Sequence, residues 1–281
     1  MEVLTRLLVI IFSLFIFQSY SQPKTGVTLP QTSQITLSSE YGQEYKIYIS
    51  LPPGYDDSNK SYPVIYVLDA DLTFGIVYNT RVLMSYGEEI PEVILVGIAY
   101  KEGFENIHNR RFRDFTPTRR NENEIEQLTG IRGINNSGGA HNFLDFIQHT
   151  VKNYIQNSLR INTNDETLVG YSLSGLFATY VASLEEKHFN KYLIASPSLW
   201  WFGEDLPSFS LTDTGLQIYL SIGSKENPDA MLNPWKKIQS QLKSANIKIY
   251  SEILDKDTHV TAFNKAFPNG IRTLFNDKMQ Q

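Results

Sequence analysis

The hexapeptide Gly-Tyr-Ser-Leu-Ser-Gly at residues 170–175 has the residue types of a serine nucleophile turn. A nucleophilic serine must project from a sharp turn between a strand and a helix, with small residues two positions away on either side. Gly170 fills the first of these positions, and Ser174 fills the second, where glycine is usual. The sequence therefore predicts Ser172 as a nucleophile, although a serine that caps a helix, or a nucleophilic Ser174, fits the same string.

A serine nucleophile needs a base that takes its proton during attack, and histidine serves this purpose at neutral pH. In hydrolases with a strand–turn–helix serine, the base follows the nucleophile in the chain and an acid lies between them. Of the two histidines after residue 172, His188 follows a charged run at a helix end, whereas His259 follows an apolar strand. We therefore expect His259 to be the base.

The acid that orients this imidazole is expected after the apolar strand at residues 216–222. Glu226 is the first carboxylate in that loop, and we expect it to be the third member of the triad. Asp229, Asp255 and Asp257 remain alternatives, as does a Ser–His dyad without an acid.

The tetrahedral intermediate of ester cleavage carries an oxyanion, which two backbone N–H groups can stabilise. One donor is expected at Leu173, directly after the nucleophile. The other is expected at Asp71, in the turn after the early apolar strand at residues 62–68. Asp69 in the same turn is equally well explained as a structural turn residue.

The composition excludes several other kinds of chemistry. The chain of 281 residues has 30 acidic and 25 basic side chains, a balance that argues against nucleic-acid binding. It contains no cysteine, which excludes a disulfide framework, a thiolate metal site and a cysteine nucleophile. The five histidines are scattered and form no HExxH pair, so we expect neither a metal nor a cofactor.

Alternating strand and helix patterns must position the candidate residues. Strand patterns occur at residues 45–51, 62–68, 93–98, 167–170, 191–195, 216–222 and 248–254, and helical spacing occurs at 143–155, 176–184 and 235–242. This alternation predicts an α/β fold, in which helices cover both faces of a mostly parallel sheet. Residues 100–139 show no clear periodicity, which predicts a loop insertion or lid with a functional role.

Two groups of side chains are candidates for substrate binding. Residues 108–120 contain five arginines and a single acid, and of these we expect Arg113 to bind an anionic ester. Solvation, or pairing with nearby glutamates, explains this basic patch equally well. Trp200 and Trp201 fit either a stacking wall for an aromatic or sugar ring or a cap on the core.

Blocks of sequence spread from about residue 30 to about residue 275 resemble one enzyme family. These blocks are residues 51–55, 62–69, 113–117, 138–140, 170–177 and 195–201. The family is the esterase D family of α/β-hydrolases, which includes siderophore esterases, feruloyl and acetyl xylan esterases and mycolyltransferases, and the siderophore-esterase branch is the most similar. The resemblance implies an α/β-hydrolase fold with Ser172 as nucleophile, His259 as base, the acid near Glu226 and an oxyanion donor at Asp71.

The first 21 residues have the pattern of a secretory signal peptide. Arg6 precedes an apolar run at residues 7–17, and Ser19 and Ser21 supply the small residues before a cleavage site. The run is too short to span a bilayer as a helix. We expect cleavage after Ser21, so that a single domain at residues 22–281 reaches the periplasm or the extracellular space without a membrane anchor.

These patterns together predict an exported serine carboxylester hydrolase that works through an acyl-enzyme. Its expected substrate is a small-molecule or glycan ester, such as a siderophore or a plant-polysaccharide ester. An acyltransferase of the same fold and a non-catalytic ligand-binding relative fit the same residues. The sequence predicts no oligomeric state.

Overall fold

The computed structural model describes residues 26, 28–103, 106–209, 215–245 and 247–279. The chain divides into two compact units, Met1–Pro30 and Gln31–Gln281, and the fold described below is that of the second. The predicted signal peptide, residues 1–21, lies outside the described residues. In the part of the chain that is described, no helix is long and apolar enough to cross a membrane.

A sheet of eight strands forms the centre of the second unit. The strands are β1 (Thr32–Ser38), β2 (Glu44–Ser50), β3 (Tyr62–Val67), β4 (Ile94–Tyr100), β5 (Ile161–Tyr171), β6 (Lys191–Ala195), β7 (Gln217–Gly223) and β8 (Lys248–Leu254). Their order in the sheet is β1-β2-β4-β3-β5-β6-β7-β8. The pairs β1–β2 and β2–β4 are antiparallel, and every other pair is parallel. The predicted mostly parallel sheet is therefore confirmed.

The central strands are apolar because both faces of the sheet are covered. Every residue of β3 and of β4 is buried. Since side chains alternate between the two faces of a strand, Val64 and Tyr66 join one core, whereas Ile65 and Val67 are buried on the other face. A strand without a solvent-facing side reads as a near-continuous apolar run, which is the pattern seen in the sequence.

Helices connect the strands and cover the sheet. They are α1 (Ala70–Tyr86), α2 (Ile107–Phe115), α3 (Glu122–Thr129), α4 (Ala140–Asp145), α5 (Lys152–Ser158), α6 (Leu173–Ser183), α7 (Asn233–Ser244) and α8 (Ala262–Met279). Three short segments complete the path: π-helical Phe146–Val151, 3-10 helical Leu199–Phe202 and π-helical Pro228–Leu232. Helix α8 packs against β6, β7 and α1, and α6 packs against β5, β6 and α2.

The predicted strands correspond to β2 through β8, and the predicted helices correspond to α4–α5, α6 and α7. Strand β5 begins six residues earlier than predicted. Its first half is partly exposed and carries polar residues, so the apolar pattern in the sequence marks only its second half. Strand β1 and helices α1 and α8 were not predicted.

Residues 100–139, which are predicted to be a loop insertion or lid, contain the helices α2 and α3. Helix α2 buries Phe112 and Phe115. Helix α3 begins at a capping box, in which Asn121 accepts from the backbone of Glu124 and the Glu124 side chain accepts in return from the backbone of Asn121. Both helices are short, with nine and eight residues, so too few apolar positions repeat to establish a helical period in the sequence.

Candidate active site

Ser172 sits at the junction between β5 and α6 in a strained backbone conformation. Its φ of 60° and ψ of −118° lie in a region that residues with a side chain rarely adopt. Two backbone hydrogen bonds to the end of β6 hold the turn: Ser172 N donates to Ala195 O at 3.0 Å, and Ser198 N donates to Ser172 O at 3.0 Å. Strain of this kind at a serine between a strand and a helix is typical of a nucleophile elbow.

Residues around Ser172 explain how the turn tolerates a serine in place of the usual second glycine. A Cβ at Gly170 would lie 2.2 Å from Ser174 O, so only glycine fits there. The Ser174 side chain is fully buried, where its hydroxyl accepts from Tyr171 N at 3.0 Å and donates to Tyr171 O at 2.9 Å. Ser174 is thus a structural residue of the turn, and Ser172 is the hydroxyl that faces the cavity.

The structure brings Ser172, His259 and Glu226 into one hydrogen-bonded line. His259 Nε2 lies 2.9 Å from Ser172 Oγ, and His259 Nδ1 lies 2.8 Å from Glu226 Oε2. The imidazole can therefore accept the serine proton on Nε2 while it donates Nδ1–H to the carboxylate. This is the geometry that a serine hydrolase requires of its nucleophile, base and acid.

The Glu226 side chain is fully buried, and three donors bind its carboxylate. Oε2 faces His259, while Oε1 accepts from Gly223 N at 2.8 Å and from the Ser196 hydroxyl at 2.6 Å. Burial by itself raises the pKa of a carboxyl group. At Glu226 the hydrogen bonds from His259, Ser196 and Gly223 outweigh this effect, so its pKa lies below the ordinary value and the group is a carboxylate at neutral pH.

The other carboxylates that the sequence left open make different contacts. Asp229 is exposed and accepts from Asn233 at 3.2 Å. Asp257 pairs with Lys265 at 2.6 Å and accepts from Thr261 at 2.9 Å. Asp255 uses its backbone carbonyl to accept from Lys265 at 3.3 Å. Glu226 is the carboxylate that the described residues place against His259 Nδ1.

The loops that carry Glu226 and His259 are held together along their backbones. Ser224 N donates to Leu254 O and Lys225 N donates to Asp257 O, both at 2.9 Å. A Cβ at Gly223 would lie 2.5 Å from Asp257 O, so glycine allows the two loops to approach this closely. The distance between acid and base is thereby set by loop packing as well as by the side chains.

Tyr171 holds the imidazole from the side of β5. Its ring stacks on that of His259 with centroids 5.3 Å apart, and its hydroxyl donates to the His259 carbonyl. Burial, with a contribution from the charge of Glu226, raises the pKa of Tyr171 to about 12. The hydroxyl is therefore protonated at neutral pH and remains a donor.

The predicted oxyanion donors lie at the first turns of two helices. Leu173 is the first residue of α6, and Asp71 is the second residue of α1. The first N–H groups of a helix have no partner within that helix and can bind an anion. Both helices start at the carboxyl ends of β5 and β3, which are neighbours in the sheet. The side chain of Asp71 is engaged elsewhere, since it accepts from Tyr100 N at 2.7 Å.

Asp69 is fixed in the turn before α1 by an arginine. Its φ of 53° is left-handed, and its buried carboxylate receives Arg111 Nε at 2.8 Å and Nη2 at 2.9 Å. Burial opposes the guanidinium charge, but Asp69 outweighs burial and raises the pKa of Arg111 above its ordinary value. This ion pair joins helix α2 to the turn before α1, two residues ahead of Asp71.

A cavity of about 770 Å³ opens above Ser172. Its walls are mainly apolar and come from the segment after β4, from the start of α6 and from the helical turns after β6 and β7. The apolar lining residues are Phe112, Leu128, Ile131, Leu173, Trp200, Ala230 and Met231. Basic groups, His108, Arg111, Lys225 and His259, line the same space. A pocket of this kind suits a ligand with apolar rings and negative charge.

Two predicted substrate contacts lie elsewhere. Arg113 pairs with buried Asp114 at 2.6 Å and lines a separate cavity with Tyr45, because it points from a different face of α2 than Arg111 does. Trp201 is fully buried and donates to Thr118 at 3.0 Å, so it caps the core. Trp200, by contrast, lines the cavity above Ser172 as expected.

Arg111, Ser196 and Tyr171 belong to the site but were not predicted as site residues. Arg111 lies in the basic patch, but the helical spacing of Arg111 and Arg113, which turns them to different faces, was not recognised. Tyr171 ends β5 and Ser196 directly follows β6. Polar residues at the carboxyl ends of parallel strands often belong to the active site, so this position could have identified both.

Comparison with known proteins identifies the family of this chain. A family model described as "Putative esterase" matches residues 38–274. The chain belongs to this esterase family. The predicted resemblance to siderophore esterases is also confirmed, since the ferri-bacillibactin esterase BesA of Bacillus subtilis is 35% identical over 180 residues, which cover 62% of this chain and 61% of that protein.

Other relatives and solved structures agree with this family assignment. The siderophore triacetylfusarinine C esterase of Aspergillus fumigatus is 28% identical over 184 residues, which cover 63% of this chain and 59% of that protein. The chain thus spans about three fifths of the length of these curated relatives.

The crystal structure of the BES protein from Bacillus cereus superimposes with a TM-score of 0.74 at 25% identity, covering 90% of this chain and 98% of that chain. The siderophore hydrolase EstA from Aspergillus nidulans also gives 0.74, at 21% identity, covering 91% of this chain and 99% of that chain. These neighbours confirm the α/β-hydrolase fold.

Proposed function

We propose that this protein is an exported serine esterase that hydrolyses the ester bonds of siderophores. The observation that carries the proposal is the continuous hydrogen-bonded line from Ser172 through His259 to Glu226, which opens into an apolar cavity with basic groups.

In the acylation step, Ser172 Oγ attacks the ester carbonyl carbon while its proton moves to His259 Nε2. The carbonyl oxygen becomes an oxyanion and is stabilised by the N–H groups of Leu173 and Asp71. Glu226 stabilises the imidazolium through Nδ1–H. When the intermediate collapses, the carbon–oxygen bond to the alcohol breaks, and His259 gives its proton to the departing alkoxide.

In the deacylation step, water takes the place of the alcohol. His259 removes a proton from the water as it attacks the acyl-Ser172 ester, and the second tetrahedral intermediate forms in the same oxyanion site. Collapse returns the proton to Ser172 Oγ and releases the carboxylic acid. The cycle consumes one water and regenerates the free serine.

The substrate class is supported by the relatives and by the cavity together. The matched curated proteins are named for ferri-bacillibactin, triacetylfusarinine C and enterobactin. The apolar wall formed by Phe112, Leu128 and Trp200 suits ring systems, and the exposed Lys225 suits the negative charge of an iron-binding group.

Export is supported by the order of charged, apolar and small residues in the first 21 positions. Expression in a bacterium with its own export machinery, followed by fractionation and N-terminal sequencing, tests this part. We expect the mature chain outside the cytoplasm with Gln22 at its N-terminus. A chain that stays in the cytoplasm with residues 1–21 attached contradicts it.

The catalytic part is tested with a panel of esters: a ferric trilactone siderophore, its iron-free form, a feruloyl sugar, acetylated xylan and p-nitrophenyl acetate. We expect the highest kcat/KM on a siderophore, labelling of the wild type by a fluorophosphonate, and loss of both in Ser172→Ala. Labelling that persists in Ser172→Ala, or no turnover of any ester, favours a ligand-binding protein. Ester products formed with an added alcohol in place of hydrolysis favour an acyltransferase.

A further inference from the structure

Ser196 occupies the gap between the nucleophile and the acid. Strand β6, which ends one residue before it, lies between β5, which leads to Ser172, and β7, which leads to Glu226. Ser196 N donates to Ser221 O at 2.8 Å, so the backbone continues the β6–β7 ladder. Its side chain is completely buried, yet its φ of 43° is left-handed. A buried serine in a conformation that favours glycine indicates that the hydroxyl itself is used.

The Ser196 hydroxyl is used on Glu226. It donates to Oε1 at 2.6 Å, the oxygen that does not face His259. Gly223 N, at the end of β7 and three residues before Glu226, donates to the same oxygen at 2.8 Å. Ser196, by contrast, directly follows the neighbouring strand β6. Ser196 therefore ties the acid to the sheet edge that carries Ser172.

A glutamate needs this second restraint more than an aspartate does. Its side chain has one more rotatable bond, and Glu226 reaches His259 from a loop position three residues beyond β7. Donors on one oxygen fix the plane of the carboxylate and direct the other oxygen at Nδ1. Hydrogen bonds of this type also favour the ionised form, which counteracts the burial of the group.

We propose that Ser196 is a positioning residue for ester hydrolysis, which acts through Glu226 by fixing the orientation of its carboxylate. The role rests on the proposed function, since it requires that Glu226 serve as the triad acid. Ser196 does not contact the cavity above Ser172, so it is not expected to affect substrate binding.

Two variants separate this role from a structural one. Ser196→Ala removes the hydroxyl and keeps a side chain in the left-handed conformation. Ser196→Gly removes the hydroxyl and also relieves the backbone strain, so it is expected to fold at least as well. Ser221→Ala is the matched control, because Ser221 is an equally buried serine on β7 whose hydroxyl makes none of the described bonds to the triad.

We expect kcat of both Ser196 variants to fall by roughly 10- to 100-fold with an unchanged KM, the effect of losing one hydrogen bond to a charged group. The loss should appear in kcat and in kcat/KM alike, because Glu226 acts on the base His259 and not on substrate binding. Ser221→Ala should keep the wild-type kcat and KM.

Wild-type kcat in Ser196→Gly, or a loss that only follows a lower melting temperature in both variants, overturns the proposal. A raised KM with an unchanged kcat overturns it as well. Ser172→Ala, measured in parallel, identifies the other failure: if that variant still turns over the ester, the proposed function fails before Ser196 is at issue.

Discussion

At the scale of single residues, the question is which carboxylate orients the His259 imidazole. Glu226 meets His259 Nδ1 at 2.8 Å, whereas Asp229 lies on the surface three residues later and contacts Asn233. Glu226→Gln keeps the size of the side chain but removes the charge that stabilises the imidazolium. We expect kcat/KM to fall by roughly 10²- to 10⁴-fold, since the residual rate depends on the oxyanion site and on binding.

The control for this experiment is Asp229→Asn, which makes the same chemical change at the nearest alternative acid. It should retain kcat/KM within a factor of about two, because an exposed carboxylate contributes little. Steady-state kinetics on p-nitrophenyl acetate measure both variants. A larger loss in Asp229→Asn than in Glu226→Gln contradicts the assignment.

The residues that the sequence predicted best are those whose place follows from chain order. Ser172, Glu226 and His259 each come after an apolar strand, and parallel strands end at one edge of the sheet. Contacts between side chains of one helix and a distant turn were not predictable in this way. Arg111 binds Asp69 because of how α2 docks, which depends on the packing of the whole segment after β4.

At the scale of elements, the segment after β4 forms one wall of the cavity. Leu128, at the end of α3, is 45% exposed and lines the cavity. Leu128→Ala removes apolar contact with a large substrate, so we expect KM for a siderophore to rise about three- to tenfold. The KM for p-nitrophenyl acetate should not change, because a small ester does not reach this wall.

Leu83→Ala is the matched control at the same scale. Leu83 is an exposed leucine on α1, which does not contribute to the cavity, so the change should leave both KM values unchanged. Equal effects of the two substitutions on the siderophore KM mean that α3 does not contact the substrate.

Helices α1 and α8 were not predicted from the sequence, and the physical reason differs between them. The buried face of α1 has helical spacing, but Leu72, Ile76, Leu83 and Tyr86 are exposed apolar residues that blur its pattern. Helix α8 contains Pro268, which normally marks the end or the first turn of a helix. The strands were easier to predict because burial on both faces leaves one continuous apolar run.

At the scale of the whole molecule, an exposed cation lines the cavity of an acidic chain. The formal net charge is −5, yet Arg111 and Lys225 line the cavity. Lys225 is exposed, so it can attract an anionic substrate without breaking a buried contact. We expect Lys225→Gln to lower kcat/KM for a ferric siderophore about two- to fivefold at low ionic strength, with a smaller effect at high salt.

Lys243→Gln removes the same charge from the exposed side of α7 and serves as the control. It should leave kcat/KM for the siderophore within about 1.5-fold of wild type at 0.1 M salt and above, because Lys243 does not line the cavity and exposed charges farther apart than the Debye length of about 10 Å are largely screened. A similar loss in both variants shows that net charge, and not the cavity, sets the rate.

Glu226, the acid of the triad, should also make the free energy of unfolding depend on pH. The pKa of Glu226 lies below its usual 4.5, because hydrogen bonds from His259, Ser196 and Gly223 outweigh burial. A group with a lowered pKa stabilises the fold above its unfolded pKa, and this stabilisation disappears as the pH falls through the folded pKa. Urea unfolding of the wild type and of Glu226→Gln should therefore differ by about 1 to 3 kcal/mol near pH 5.5, and this difference should shrink by pH 3. A difference that stays constant over this range means that Glu226 is not held as a carboxylate in the folded protein.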